Sequence, residues 1–105
     1  LENRLPGGDV NPYLAVAAMV AAGLDGIERG LELEPAFVGN AYASASGHVA
    51  SSMPVALAEW SGSDWVRDTF GADVQDHYAN MARVELAAFG RSVTDWERYR
   101  GFERL

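Results

Sequence analysis

Cysteine and lysine are both missing from this chain of 105 residues. Without cysteine the chain has no disulfide, no thiolate metal site and no cysteine nucleophile, which suits a reducing compartment. All 8 basic residues are arginine and stand against 15 acidic residues, so the net charge is −7. An acidic chain without a basic stripe argues against nucleic acid and anionic membranes as partners.

Long hydrophobic runs are scarce as well. The longest covers residues 13–24, which is shorter than the roughly 20 residues that a membrane-spanning helix requires. No basic segment precedes it, so it does not read as a signal peptide. Hydrophobic residues still make up 49% of the chain, enough for a core. Because the chain opens without an initiator methionine, we expect a piece of a longer polypeptide.

The front of the chain holds the residues best suited to reactive chemistry. The alternation in residues 1–5 predicts a strand, with Glu2 and Arg4 on one face about 7 Å apart along it. A carboxylate suits Mg²⁺ or Mn²⁺, and a guanidinium fork suits phosphate or carboxylate. At this spacing the two cannot form a bidentate pair through the strand alone, but they can share one ligand. Taken alone, the spacing also fits a solvated charge pair on an edge strand.

A turn and a helix start follow this segment. Pro6 has no N–H and ends the strand, and Gly7 and Gly8 permit a tight turn. Asn11 is a good N-cap residue, and Pro12 suits the first helical position because its missing N–H is not needed there. The sequence therefore predicts a helix that begins at Pro12, directly after this turn.

Residues 12–29 predict a helix that is apolar on every side, as buried helices are. Asp25 and Arg29 are four residues apart and can pair, and Gly30 can end the helix in the left-handed conformation. Such a helix requires more covering protein than this chain contains.

The rest of the chain is predicted to be a loop over 31–53 and helical over 54–105. Short helices are expected at 54–60 and 64–70, a long amphipathic helix at 72–93 and a final helix at 96–104. The stripe expected to pack in the long helix is Val74, Tyr78, Met81, Ala82, Ala88, Phe89 and Val93. The face expected to dock the final helix is Trp96, Tyr99 and Phe102. Neither His48 nor His77 has metal-ligand spacing.

The motif Glu-x-Arg-x-Pro at residues 2–6, followed by a short turn and Asn-Pro-Tyr at 11–13, resembles the C-terminal part of the catalytic domain of glutamine synthetases. Residues 22–27 and 94–97 fit the same family. The form of residues 2–13 looks most like the branch that includes γ-glutamyl-polyamine synthetases. The resemblance implies a mostly α chain, with one N-terminal strand, a buried helix and a helical cluster, that forms the C-terminal piece of an α+β catalytic domain.

The resemblance also implies a chemistry. Similar enzymes use ATP to phosphorylate the γ-carboxyl of glutamate, after which ammonia or an amine attacks the acyl phosphate. By the matching motif, Glu2 would bind one Mg²⁺ or Mn²⁺ ion that faces the ATP phosphates. Arg4 would contact the transferred phosphoryl group or the glutamate carboxylate. Implied partners are the remainder of the catalytic domain, an N-terminal domain and further subunits of a homo-oligomeric ring in the cytoplasm.

Three questions stay open from the sequence. The family's other carboxylate ligands, its histidine ligand and its further arginines have no match here, so we expect the chain alone to be inactive. The acceptor, ammonia or a polyamine or other amine, is not fixed by these residues. A stand-alone helical interaction module and a catalytically inactive family member are the alternative interpretations.

Overall fold

The structure, a computed structural model, describes residues 2–40, 47–102 and 104. Within these residues it contains five α-helices and no strand, which confirms the mostly helical prediction. The helices are α1 (Pro12–Glu28), α2 (Met53–Gly62), α3 (Asp64–Phe70), α4 (Ala72–Gly90) and α5 (Asp95–Phe102). In the described part of the chain, no helix is long and apolar enough to cross a membrane.

The chain divides into two units. One runs from Leu1 to Ser44 and contains α1, and the other runs from Ala45 to Leu105 and contains the remaining helices. Between α1 and α2, residues 31–40 and 47–52 form no helix or strand. The part of the predicted loop at 41–46 lies outside the described residues.

The strand predicted at the front of the chain is not seen. Residues 2–5 are irregular, and Leu1 lies outside the described residues. A strand requires hydrogen bonds to a neighbouring strand. The described ranges contain no strand that could supply them. The backbone N–H of Leu5 instead donates to Asn3 Oδ1 over 3.0 Å. The prediction was wrong for this chain because the alternation of side chains along a segment does not show whether another strand pairs with it.

Helix α1 begins as its sequence indicates. Asn11 Oδ1 accepts hydrogen bonds from the backbone N–H groups of Tyr13 (3.0 Å) and Leu14 (3.2 Å), which satisfies donors that a helix start leaves free. Near the other end, Arg29 Nη1 lies 3.1 Å from Asp25 Oδ2, so the predicted pair is confirmed.

Helix α1 ends at a glycine in the left-handed conformation. Gly30 has φ 60°, and its N–H donates to the carbonyl of Ile27 over 3.1 Å. The N–H of Leu31 donates to the carbonyl of Gly26 over 2.9 Å. These two bonds form a Schellman motif, which a residue with a side chain at position 30 would strain.

The predicted burial of α1 does not occur in this chain. None of the 17 residues from Pro12 to Glu28 is buried. Its exposed large apolar residues are Tyr13, Val16, Val20, Leu24 and Ile27. The apolar pattern was interpreted as a covered helix, but the described residues of this unit contain no second helix or sheet to pack on it.

The core of the second unit forms where α2 and α3 pack on α4. The half-buried Trp60 is its aromatic centre. Its ring stacks on Phe70 with centroids 6.1 Å apart and meets Tyr78 edge-on at 6.0 Å. Val66 and Ala79 are buried beside this cluster. Aromatic pairs in these geometries add to the gain from burying their apolar area.

Gln75 closes the corner between these helices. It is 1% exposed, and its Nε2 donates to the carbonyls of Trp60 (2.8 Å) and Ser63 (3.0 Å). The Trp60 indole Nε1 donates in return to the Gln75 carbonyl over 2.9 Å. Ser63 Oγ also caps α3 by accepting from the N–H of Val66 over 3.2 Å. One buried amide therefore adds a second donor to two carbonyls that also accept backbone N–H groups, that of Ser63 for Trp60 (3.5 Å) and that of Arg67 for Ser63 (3.2 Å).

The packing stripe predicted for α4 was partly wrong. Met81, Phe89 and Val93 are exposed. Val74, Tyr78 and Ala82 are half-buried, as predicted. The inward face also includes Gln75 and Ala79, which are buried, and Leu86, which is half-buried. The periodicity was interpreted correctly as helical, but the stripe was extended over Ala88, Phe89 and Val93, which are exposed.

The docked face predicted for α5 is not observed. Trp96, Tyr99 and Phe102 are 65%, 69% and 81% exposed. The Arg100 guanidinium instead lies 5.0 Å from the centroid of the Trp96 ring, in cation–π contact. Spacing three apart did not predict whether another element would supply a surface for these aromatic residues to pack on.

A reciprocal pair of hydrogen bonds begins α5. Thr94 Oγ1 accepts from the N–H of Glu97 over 3.2 Å, and Glu97 Oε2 accepts from the N–H of Thr94 over 2.8 Å and from its hydroxyl over 3.0 Å. This is a capping box. The bond from the Thr94 backbone, followed by that from its hydroxyl, holds the pKa of Glu97 below its ordinary value of 4.5.

We expect α5 to lose this cap in acid. Because the pKa of Glu97 is lower in the folded chain than in the unfolded one, its contribution is present above the unfolded pKa of 4.5 and is lost as the pH falls through the folded pKa. An NMR titration of the Glu97 carboxyl should show the low inflection. Thr94→Ala should raise it, and Thr69→Ala, at an exposed threonine in α3, should not. An unchanged inflection in Thr94→Ala would contradict the cap.

Candidate functional site

The two candidate residues at the front of the chain contact each other directly. Arg4 Nε donates to Glu2 Oε1 over 2.7 Å, and the side chains are 84% and 70% exposed. The sequence correctly predicted that the two side chains lie on one side of the chain. It did not predict a direct contact, since it placed them about 7 Å apart on a strand.

A series of local hydrogen bonds ties this segment to the start of α1. The N–H of Leu5 donates to Asn3 Oδ1, and a turn follows in which the N–H of Val10 donates to the Gly7 carbonyl over 3.3 Å. The Asn11 cap comes directly after the turn. Short-range hydrogen bonds therefore order the backbone between the candidate pair and the start of α1.

The exposure of the pair determines what it can do. An ion pair in water contributes little to stability, because the solvent screens it and two long side chains must be ordered. Breaking the contact between Glu2 and Arg4 to bind a ligand therefore costs little free energy. A guanidinium has five N–H donors, and the contact with Glu2 uses one of them. Together the two side chains offer one hard oxygen ligand and one donor fork suited to phosphate.

Glu2 fits a metal ion as one ligand and not as a whole site. Its carboxylate has the oxygen chemistry that Mg²⁺ and Mn²⁺ prefer. Across the described ranges, no group of three or more His, Cys, Asp or Glu side chains is placed to hold a metal. His77 contacts the Tyr78 ring edge-on at 5.5 Å. A complete metal site would therefore need ligands beyond those described.

Two features of the structure were missed by sequence reasoning. The first is the role of Asn3, although an asparagine that bonds the backbone two residues on is a known local signal. The second is an apolar groove of about 500 Å³ between the start of α2 and the end of α4. Its lining residues are Met53, Pro54, Glu85, Leu86 and Phe89. The sequence analysis assigned Phe89 to the packing stripe of α4, so it did not predict that this side chain is exposed.

Comparison with known proteins places this geometry in a family context. The family model described as glutamine synthetase, catalytic domain, matches residues 1–100. The chain is 57% identical over 104 residues to a gamma-glutamylethanolamide synthetase of Streptomyces coelicolor, an alignment that covers 99% of this chain and 22% of the relative. It is 38% identical to a glutamate–isopropylamine ligase of a Pseudomonas species, over 92% of this chain and 22% of the relative.

Glutamine synthetases match at lower identity. That of Methanococcus maripaludis is 33% identical over 92% of this chain and 24% of its own length. The chain thus spans between a fifth and a quarter of the length of these relatives, and the match to the family model includes the segment that carries Glu2 and Arg4.

Proposed function

Because the chain belongs to the glutamine synthetase family, we propose that it contributes to an ATP-dependent ligase that joins the γ-carboxyl of glutamate to an amine. The observation that carries the proposal is the 2.7 Å contact that sets Glu2 and Arg4 side by side on an exposed segment that precedes α1. An acidic oxygen donor and a guanidinium at one place are what a metal–nucleotide site requires.

The acceptor that we propose is a short primary amine. The relatives whose names specify an amine product or substrate, ethanolamide and isopropylamine, are 57% and 38% identical to this chain. The relative named glutamine synthetase from Methanococcus maripaludis is 33% identical. Ammonia and polyamines are the rival acceptors.

Arg4 is the residue to which we assign the chemical step. In that step an oxygen of the γ-carboxylate attacks the γ-phosphorus of ATP and ADP leaves. The amine nitrogen then attacks the acyl carbon, phosphate leaves and the nitrogen loses a proton. Negative charge spreads over the phosphoryl oxygens during the first transfer, and a guanidinium fork beside them stabilises it. Arg4 can reach such a group by releasing Glu2.

Glu2 is the residue that we assign to a divalent ion. Its exposed carboxylate would serve as one oxygen ligand of Mg²⁺ or Mn²⁺. When bound, such an ion neutralises charge on the phosphates of ATP. With one carboxylate, the described segment is a weak site, since Mg²⁺ gives up its water reluctantly. The remaining ligands would come from the rest of the catalytic domain.

The exposed apolar face of α1 supports a role within a larger body. A helix that is apolar on every side is stable when other elements cover it, and every residue of α1 is at least partly exposed here. We propose that the remainder of the catalytic domain and an N-terminal domain cover it. We further propose a homo-oligomeric ring in the cytoplasm, in which neighbouring subunits share active sites.

An acceptor assay tests the proposal. The protein that carries this chain, given glutamate, ATP and Mg²⁺, should release ADP with ethanolamine or isopropylamine. It should prefer them to ammonia by roughly tenfold or more in kcat/KM, because a pocket shaped for the larger amine gains from filling it. A polyamine such as putrescine should rank below the short amines. The chain of 105 residues alone should release no ADP.

The other outcomes distinguish the alternatives. Binding of ATP without ADP release for any acceptor would identify an inactive family member. A protein that neither binds ATP nor changes with Mg²⁺ would support a stand-alone helical interaction module. Ligation by the isolated chain would contradict the assignment of the other metal ligands to polypeptide outside it.

A further inference from the structure

Asn3 lies between the two residues to which we assign the metal and the phosphoryl group. Its side-chain Oδ1 accepts a hydrogen bond from the backbone N–H of Leu5 over 3.0 Å. An asparagine that bonds the backbone two residues on imitates a backbone turn with its own side chain. Arg4 is the middle residue of that turn, so the bond restrains the backbone from which the guanidinium extends.

The direction of Arg4 is consistent with this restraint. In the same segment Arg4 Nε donates to Glu2 Oε1 over 2.7 Å, so the side chains of the two residues that flank Asn3 contact each other. On the other side of the turn, Pro6 restricts Leu5 to extended conformations and cannot itself donate a backbone hydrogen bond. The turn is therefore bounded by a fixed residue at one end and by the ion pair at the other.

Burial does not supply the order of this segment. Residues 2–10 are all exposed, so local hydrogen bonds rather than packing set the path of the backbone there. Each of these short-range contacts is weak. The guanidinium of Arg4 nevertheless depends on them, because it lies at the end of a side chain with several rotatable bonds. Small changes in the backbone at residue 4 are amplified at the tip of its side chain.

We infer that Asn3 is a positioning residue that presets Arg4 for the phosphoryl group by holding the turn from residue 3 to residue 5. The inference rests on the proposed function, since it gives Asn3 a role only if Arg4 has one. Asn3 needs no contact with substrate. It acts through the backbone of Arg4, and a hydroxyl at the same position can replace part of its effect because serine forms the same turn more weakly.

Four variants of the protein that carries this chain test the inference. Asn3→Ala should lower kcat by about tenfold and leave the KM for ATP within about twofold, because misplacement of a transition-state contact affects kcat. Asn3→Ser should recover at least half of the loss on a logarithmic scale. Asn80→Ala, at an exposed asparagine in α4, is the matched control and should change neither constant. Asn3→Ala combined with Arg4→Gln should be no slower than Arg4→Gln alone.

A second measurement separates positioning from damage. Binding of Mn²⁺, followed by the electron paramagnetic resonance signal of the free ion, should be within about twofold of the parent in Asn3→Ala, since Glu2 remains. An additive double variant, or an Asn3→Ser as slow as Asn3→Ala, would overturn the role of Asn3. Normal kcat in Asn3→Ala with a slow Arg4→Gln would overturn it while leaving the proposed function intact. Normal kcat in Arg4→Gln would instead remove the proposed function itself.

Discussion

Replacing Arg4 by Gln should lower kcat for ADP release by about a hundredfold or more, because loss of a donor aimed at developing charge typically costs that much. The glutamine keeps a polar side chain of moderate length but loses the charge and the fork. Steady-state kinetics with saturating glutamate, ATP and amine, in the protein that carries this chain, give the measurement. The KM for the amine should stay within about threefold, since Arg4 is assigned to the phosphoryl group.

Two comparisons sharpen this prediction. Arg4→Lys retains the charge but not the planar fork, so its kcat should fall between those of the parent and of Arg4→Gln. Arg29→Gln is the matched control, because Arg29 also forms an exposed ion pair, 3.1 Å from Asp25, and lies at the other end of α1. If Arg29→Gln slowed turnover as much as Arg4→Gln, the effect would be one of general charge.

Replacing Gln75 by Ala should destabilise the second unit by about 2–4 kcal/mol. The change removes the Nε2 donor from the carbonyls of Trp60 and Ser63. It leaves the two half-buried carbonyls with their backbone partners alone, the N–H groups of Ser63 and Arg67, and it opens a cavity at a side chain that is 1% exposed. Each of these losses costs on the order of 1–3 kcal/mol. Chemical denaturation followed by tryptophan fluorescence measures the change in free energy of unfolding.

Variants at and beside this position test the cause. Asp76→Ala, at the exposed neighbour of Gln75, should change the free energy of unfolding by less than about 0.5 kcal/mol. Gln75→Glu should be at least as damaging as Gln75→Ala, because a carboxylate oxygen would face two carbonyl oxygens. Gln75 Oε1 is buried and has no hydrogen-bond partner, so Gln75→Glu cannot recover stability by turning that oxygen inward. A stable Gln75→Glu would show that Nε2 does not close the corner.

The sequence predicted helix ends better than it predicted packing. Asn11 caps the helix that its position indicated, and α3 has the bounds that were expected. Caps are predictable because the donor and the acceptor lie within three residues of each other. Packing joins residues far apart in sequence, such as Trp60 and Gln75, and no local pattern records which of them meet.

The candidate site shows the same limit. The motif placed Glu2 and Arg4 on one side of the chain, and they are. The predicted strand is not seen at residues 2–5, where the N–H of Leu5 donates to Asn3 Oδ1 over 3.0 Å instead. The polar core residue Gln75 was not predicted either, since hydrophobic periodicity counts a glutamine as a surface residue.

The uncovered apolar surface of α1 has a cellular consequence. Val16, Val20 and Leu24 stand in solvent, and side chains of this kind are what molecular chaperones grip and what leads an unfinished chain to aggregate. As long as nothing covers α1, we expect these side chains to favour association with other apolar surfaces. Covering the helix should remove that tendency.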